Sequence, residues 1–198
     1  MHLGKWLKLY SQILEDFGFS KERDEEAAKL IHTLGGEKLL DLSSLEIIRG
    51  KEVAVVGGAY SGENIVEELK ITAGKAVELV NFTPHIHVTD MEESDEILLD
   101  LEKRGCILVL HAHGDNIERI KSVVPKLKSF VATTQSEPFD RVYNFGGFTD
   151  GDRAAIMAKE FGASKIKLYG FDFYKASNEI KKRKLLWAKK ILEIEEIL

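Results

Sequence analysis

One cysteine, Cys106, is all that this 198-residue chain contains, which excludes a disulfide framework and any cysteine-rich zinc site. It opens an apolar run, Cys106-Ile-Leu-Val-Leu110, where a thiol is expected to serve as a small buried hydrophobe. Long hydrophobic runs are also missing: none approaches the roughly 20 residues needed to cross a bilayer. The opening Met1-His-Leu-Gly-Lys-Trp-Leu-Lys8 lacks the apolar stretch of a secretion signal. A soluble cytoplasmic protein without membrane partners is expected. Positive charge is not in excess either. A formal net charge of -5 argues against a general nucleic-acid surface. Prolines number only three and Lys, Glu and Ile are abundant, a composition that suits a heat-stable protein.

What is present is a core. A hydrophobic content of 44% rules out disorder, and the length suits one α/β unit with a small helical appendage. Trp6, Leu9, Tyr10, Ile13, Leu14 and Phe17 fall at helical spacing, and Gly18 ends that helix. Ser20 caps a second helix from Lys21 to about Leu34, which stops at Gly35-Gly36. The pattern then alternates. Strands are predicted at Val53–Val56, Ala76–Val80, His85–Val88, Gly105–Leu110, Ser129–Ala132, Arg141–Tyr143 and Ile166–Tyr169. Helices are predicted from the Gly57–Gly62 loop through about Lys70, and at Glu93–Arg104, Asn116–Val123, Asp150–Phe161 and Asn178–Leu198. This alternation predicts a mainly parallel sheet with helices on both faces. Residues 1–48 are expected as a helical segment packed on the core, and 49–198 as a single α/β unit.

Polar clusters fall at the carboxyl ends of several predicted strands, where open α/β sheets bind their ligands. Gly57-Gly-Ala-Tyr-Ser-Gly62 offers free amides to an anion, although a plain strand-to-helix turn fits it equally well. Asp90 and Glu92, in Val88-Thr-Asp-Met-Glu-Glu93, can share a hard cation such as Mg²⁺. Glu93, Asp95 and Glu96 read instead as a solvated acidic helix start. His111-Ala-His-Gly-Asp-Asn116 admits a rival zinc reading with His85 and His87, since i and i+2 residues share a strand face. Asn144 to Arg153 joins a Gly146-Gly147 pair, a capping Asp150, and Arg153, which either forks onto phosphate or pairs with a neighbouring acid. Phe145 and Phe148 there suit either a flat heterocycle or the core.

The order of these clusters resembles thiamine pyrophosphokinase, which carries G-D-x-D-S, then T-D, then G-G-R-x-D-H. It resembles more closely the archaeal 6-hydroxymethyl-7,8-dihydropterin diphosphokinases of the methanopterin-pathway type. The matching positions are Trp6 with Tyr10, Asp24-Glu-Glu26, Gly57 to Gly62, Val88-Thr-Asp90, His111 to Asn116, Thr133-Thr-Gln135, Asn144 to Ala154 and Lys184 to Lys189. Two departures stand out. The family's V-T-D-L-D-G becomes Val88-Thr-Asp-Met-Glu-Glu93, and its glycine loop lacks the usual proline here.

The resemblance implies a thiamine-pyrophosphokinase-like catalytic fold and Mg²⁺-dependent transfer of diphosphate from ATP to a reduced hydroxymethylpterin. It implies Asp90, Glu92 and Asp115 as metal ligands, with Asp90, Asp115, Arg153 and His113 as the catalytic set. Nucleotide contacts are implied at Gly57, Gly58, Ser61, Thr134, Gln135 and Arg153. Pterin contacts are implied at Asn144, Phe145, Gly146, Gly147, Asp150 and Asp172. The partners expected are small molecules, with a homo-oligomer left open. A thiamine-directed enzyme and a non-catalytic nucleotide- or pterin-binding relative are the alternatives.

Overall fold

The computed structural model describes residues 1–198. Two helices lead, α1 (Leu3–Phe17) and α2 (Lys21–Gly35). Gly18 ends α1 in the left-handed conformation at φ 67°. The Ser20 hydroxyl accepts the Arg23 amide and so starts α2, which satisfies one of the donors that a helix N-terminus leaves free. Seven strands follow: β1 (Glu52–Val56), β2 (Leu69–Ala73), β3 (Ile86–Thr89), β4 (Ile107–Ala112), β5 (Val131–Thr134), β6 (Val142–Tyr143) and β7 (Lys165–Tyr169). Between and after them run α3 (Asp95–Lys103), α4 (Ile117–Val123), α5 (Asp150–Glu160) and α6 (Glu179–Ile194). No helix is long and apolar enough to cross a membrane.

All seven strands are parallel, in the order β6-β5-β4-β3-β2-β1-β7. The chain steps outward from β1 to β6, then returns through α5 to place β7 on the other side of β1. The carboxyl end of β1 is therefore the point where the connections diverge, and a crevice opens there. Alternation along each strand sends side chains to opposite faces. Val53, Val55, Ile71, Ile86, Val88, Val109 and Val131 meet α5 and α6 through Ala154, Ala158 and Leu192. Leu108, Leu110 and Ala132 meet α2, α3 and α4 through Ala28, Ile31, Leu98 and Ile120. Helix α1 buries Trp6, Tyr10 and Ile13 against Phe148, Ile156 and Ile191. Cys106 is buried beside this core, and burial pushes its thiol up to about 12.

Two predicted elements are corrected. The helix expected through Lys70 does not form; Leu69–Ala73 is instead strand β2, in register between β1 and β3. Local side-chain bonds compete with the helix there. The Glu63 carboxylate accepts from the Ser61 amide, the Tyr60 hydroxyl donates to the Glu63 carbonyl, and Glu67 turns inward to accept from Tyr169. The strand expected at Ala76–Val80 is a short 3-10 helix, Gly74–Glu78, because the neighbouring sheet position is already filled by β2.

Gly147 shows how tightly the third cluster is folded. Its φ is +96°, and a Cβ there would lie 2.5 Å from the Arg153 Cα. Gly147→Ala should cost about 2 kcal/mol or more in chemical denaturation, whereas Gly58→Ala, which meets open space, should stay within about 0.5 kcal/mol.

Candidate active site

A cleft of about 460 Å³ lies along the carboxyl edge of the sheet. The turns after β1, β2, β3, β4, β5 and β7 all reach it, as do the N-termini of α2 and α5 and one side of α6. Of the residues named from sequence, Gly57, Gly58, Asp90, Glu92, His113, Asp115, Gln135, Asp150, Arg153 and Asp172 line it.

The loop after β3 is held from several sides. Met91 takes a left-handed φ of 68°, unusual for a residue with a side chain. The Thr89 hydroxyl accepts the Met91 amide at 2.7 Å and donates to Glu93 at 2.6 Å. From α4, the Arg119 guanidinium donates to the Met91 and Glu93 carbonyls, while Asn116 donates to the Asp90 carbonyl. Glu93 is corrected from a solvated position: it is 2% exposed and lies 3.6 Å from the equally buried His87. Its side chain braces the turn from below. Glu92 and Asp115 are exposed at the cleft.

Asp90 stands at the centre of the cleft's charged groups. Burial pushes its pKa up, but His113, Arg153 and Lys184 together hold it below the ordinary value. Its Oδ2 lies 3.5 Å from His113 Nε2, and its Oδ1 is buried with no hydrogen-bond partner. His113 Nδ1 accepts the Asp115 amide at 3.3 Å, so in the neutral ring Nε2 carries the proton and faces Asp90. No three His, Cys, Asp or Glu side chains converge as a preformed metal cage. His85 accepts the Lys70 amide, His87 meets Thr72 and His111 meets Thr133. The four-histidine zinc arrangement is therefore not built.

The third cluster divides between cleft and scaffold. Asp152 accepts from the Phe148 and Thr149 amides, closing a capping box at the start of α5. Arg153 pairs with Asp150 at 3.0 Å and donates to the Phe148 carbonyl, the acid-paired alternative left open by the sequence. Burial, together with nearby Asp90, pushes Asp150 well above the ordinary carboxylate range. Asn144 donates to the Ser136 carbonyl and accepts the Gly146 amide. Phe145 stacks on Tyr143 and meets Phe161 edge-on in the core. Thr134 bonds Ser136, and Ser61 is bonded by Glu63. Asn144, Phe145, Gly146, Gly147, Ser61 and Thr134 thus shape turns and core rather than line the cleft. Asp172 lines it with one oxygen committed to the Tyr174 and Lys175 amides.

Three contributions, from Asp24, Lys184 and His111, were named from sequence without the roles the structure gives them. Asp24, 4% exposed, accepts from Tyr10, Gln135 and the Gly114 amide at 2.6–2.7 Å, and its neighbour Arg23 donates to the Gly114 carbonyl. The readable signal was a carboxylate on the apolar face of α2, in step with Ala27, Ala28 and Ile31. Four lysines, Lys75, Lys175, Lys181 and Lys184, supply cations to the cleft; Lys184 lies 5.7 Å from the Phe19 ring and 6.0 Å from that of Phe148. The third is His111, 1% exposed. Its Nδ1 lies 3.0 Å from the Thr133 hydroxyl and its Nε2 has no partner. Burial, then the charges of Arg153 and His113, hold its pKa well below 6.5, against an opposing pull from Gln135.

A parallel sheet whose carboxyl edge gathers glycine turns, a buried carboxylate and several lysines defines a phosphate-handling α/β protein. The family model described as 6-hydroxymethylpterin diphosphokinase MptE-like matches residues 71–178. A protein named 6-hydroxymethyl-7,8-dihydropterin pyrophosphokinase from Methanocaldococcus jannaschii is 37% identical, over 97% of this chain and 95% of its own. Proteins of the same name from Pyrococcus furiosus and Methanothermobacter thermautotrophicus are 35% and 33% identical. They align over 96% and 87% of this chain, and over 92% and 79% of their own. The chain belongs to the MptE-like 6-hydroxymethylpterin diphosphokinase family.

His111 generates a pH prediction. Its folded-state pKa is depressed, whereas the unfolded ring titrates near 6.5. Below that pH the unfolded chain binds the extra proton, so this contribution to stability is complete above it and declines as pH falls. The slope should approach about 1.4 kcal/mol per pH unit. Denaturation of wild type and His111→Phe across pH 5 to 8 should show a shallower acid decline in the variant; equal slopes would count against a neutral buried ring.

Proposed function

We propose that this chain transfers a diphosphoryl group from ATP to the hydroxymethyl oxygen of 6-hydroxymethyl-7,8-dihydropterin, with AMP as the leaving product. The observation that carries this reading is the unpartnered, buried Oδ1 of Asp90, set in a cleft ringed by lysines in a chain of this family. A carboxylate oxygen without a donor, in a protein with no preformed cage, fits a hard cation that takes one or two carboxylates and completes its shell with phosphate and water oxygens. Asp90, with Glu92 or Asp115 beside it, would hold Mg²⁺. The bound ion would supply charge neutralisation and orientation to the phosphate chain.

The chain's own residues do the rest by positioning. The Gly57–Gly58 turn brings backbone close to a phosphate, and an open approach at Gly58 leaves room for it. Lys184 and Lys75 face the cleft without carboxylate partners and meet phosphate charge. Arg153, already paired with Asp150, sets the local field and holds the Gly147 turn. His113 presents Nε2–H to Asp90 and fixes the carboxylate's orientation, a holding role rather than acceptance of the alcohol proton. Phe148, Phe171 and Phe173 line the cleft and supply apolar surface for a flat heterocycle.

Incubation with ATP, Mg²⁺ and either the reduced hydroxymethylpterin or thiamine should release AMP with the pterin alone. Asp90→Asn should lower kcat roughly 10²-fold or more with the fold intact. Lys184→Ala should raise KM for ATP about ten-fold or more. AMP release with thiamine instead, or full activity in Asp90→Asn, would overturn the assignment.

A further inference from the structure

One buried polar atom of the cleft lining has no use in the chemistry above. His111 stands near the end of β4, paired in register with Thr133 of β5. The Thr133 hydroxyl lies 3.1 Å from the Leu110 carbonyl, to which it donates, and 3.0 Å from His111 Nδ1. When that hydroxyl proton goes to Leu110, Nδ1 is the donor in the His111–Thr133 bond. The neutral ring then has a bare Nε2, and this nitrogen is buried, unpartnered and borne by a cleft-lining residue. Its ring stacks on His113 at 6.0 Å and 28°, which restricts its freedom to turn away.

A buried lone pair without a donor is costly, and its chemistry restricts what can relieve it. Phosphate oxygens are acceptors only and cannot. Mg²⁺ prefers oxygen ligands. A ligand N–H or O–H can relieve it, and a dihydropterin carries several N–H groups on one edge: the 2-amino group, N3–H and N8–H. Resting on the functional reading above, we propose that His111 Nε2 accepts a ring or amino N–H of the pterin and is a specificity-determining residue of the acceptor pocket. The nearby buried groups agree with this location. Gln135 and Asp24, which line the same cleft, form a hydrogen-bonded set with Tyr10 and Gly114, a polar surface that suits the edge of a heterocycle. A site built to accept a donor discriminates strongly against a ligand that lacks one.

The test uses the full chain and direct binding, with reduced hydroxymethylpterin and a non-hydrolysable ATP analogue titrated separately. His111→Phe should weaken pterin binding roughly ten-fold or more and leave the ATP analogue unchanged. His111→Gln, whose Oε1 can reach the Nε2 position, should recover part of the loss. Thr133→Val, which frees Nδ1, should give an intermediate loss in the same direction should His111→Phe fail to fold. Imidazole ¹⁵N spectra of the wild type should show protonated Nδ1 and bare Nε2, with the Nε2 resonance moving on pterin addition. Wild-type pterin affinity in all three variants, loss of the ATP analogue instead, or a protonated Nε2 would overturn the inference alone. Absence of any pterin binding by the wild type would overturn the functional reading together with it.

Discussion

Parallel pairing along the whole sheet is the constraint on which everything else depends. Because every strand points the same way, every strand-end turn emerges on one edge, and residues far apart in sequence meet there. Buried apolar strands enforce this, since Val53, Val55, Ile71, Val88 and Val109 are fully enclosed and a register slip would turn them to the wrong face. The N-terminal helices close the arrangement through Asp24. Its carboxylate joins α2 to the Gly114 turn, to Tyr10 of α1 and to Gln135 beyond β5. Removing it would leave three donors unsatisfied, an expensive defect in a buried place.

The cleft is also a place where stability is conceded. Asp90, Asp150 and Arg153 stand together in a partly buried setting, and His87 and Glu93 sit beneath them with one unpartnered atom each. Such groups seldom add net stability. Their arrangement is explained by what they fix: Met91 in a left-handed turn, Asp90 aimed at the cleft, and His113 turned with its Nε2 toward that carboxylate. Glu93 ends the turn that follows β3 and points inward. The Thr89 and His87 contacts accommodate its side chain inside the protein rather than in solvent.

Much of this was legible in the sequence. Periodicity and caps located α1, α2, α4 and α5 to within a residue or two, because Gly18, Ser20 and Gly35 act locally; at α5 the cap is Thr149 rather than the expected Asp150, which is the first helical residue. The strands β1, β3, β4, β5 and β7 stood out as apolar runs. Leu69–Ala73 did not, since Glu63 to Lys70 has helical composition and only pairing between β1 and β3 makes its end a strand. Among site residues, Asp90, His113 and Asp115 were readable because strand-end position alone brings them to the cleft. Asn144, Phe145, Gly146 and Thr134 were read as contacts because a motif does not say which members face outward. Here Asn144 shapes a turn and Phe145 enters the core. Asp24 and His111 take their roles from the tertiary structure, their partners Gly114 and Thr133 lying 90 and 22 positions away, and Lys184 reaches the cleft through the packing of α6.

In the proposed function, Asp90 and phosphate oxygens together complete a cation shell that the protein alone leaves incomplete. Titration with Mn²⁺, followed by electron paramagnetic resonance, tests this with and without a non-hydrolysable ATP analogue. The predicted result is weak binding to the free protein, tight binding once the analogue is present, and loss of that gain in Asp90→Asn. Tight binding without nucleotide, or an undiminished gain in Asp90→Asn, would contradict it.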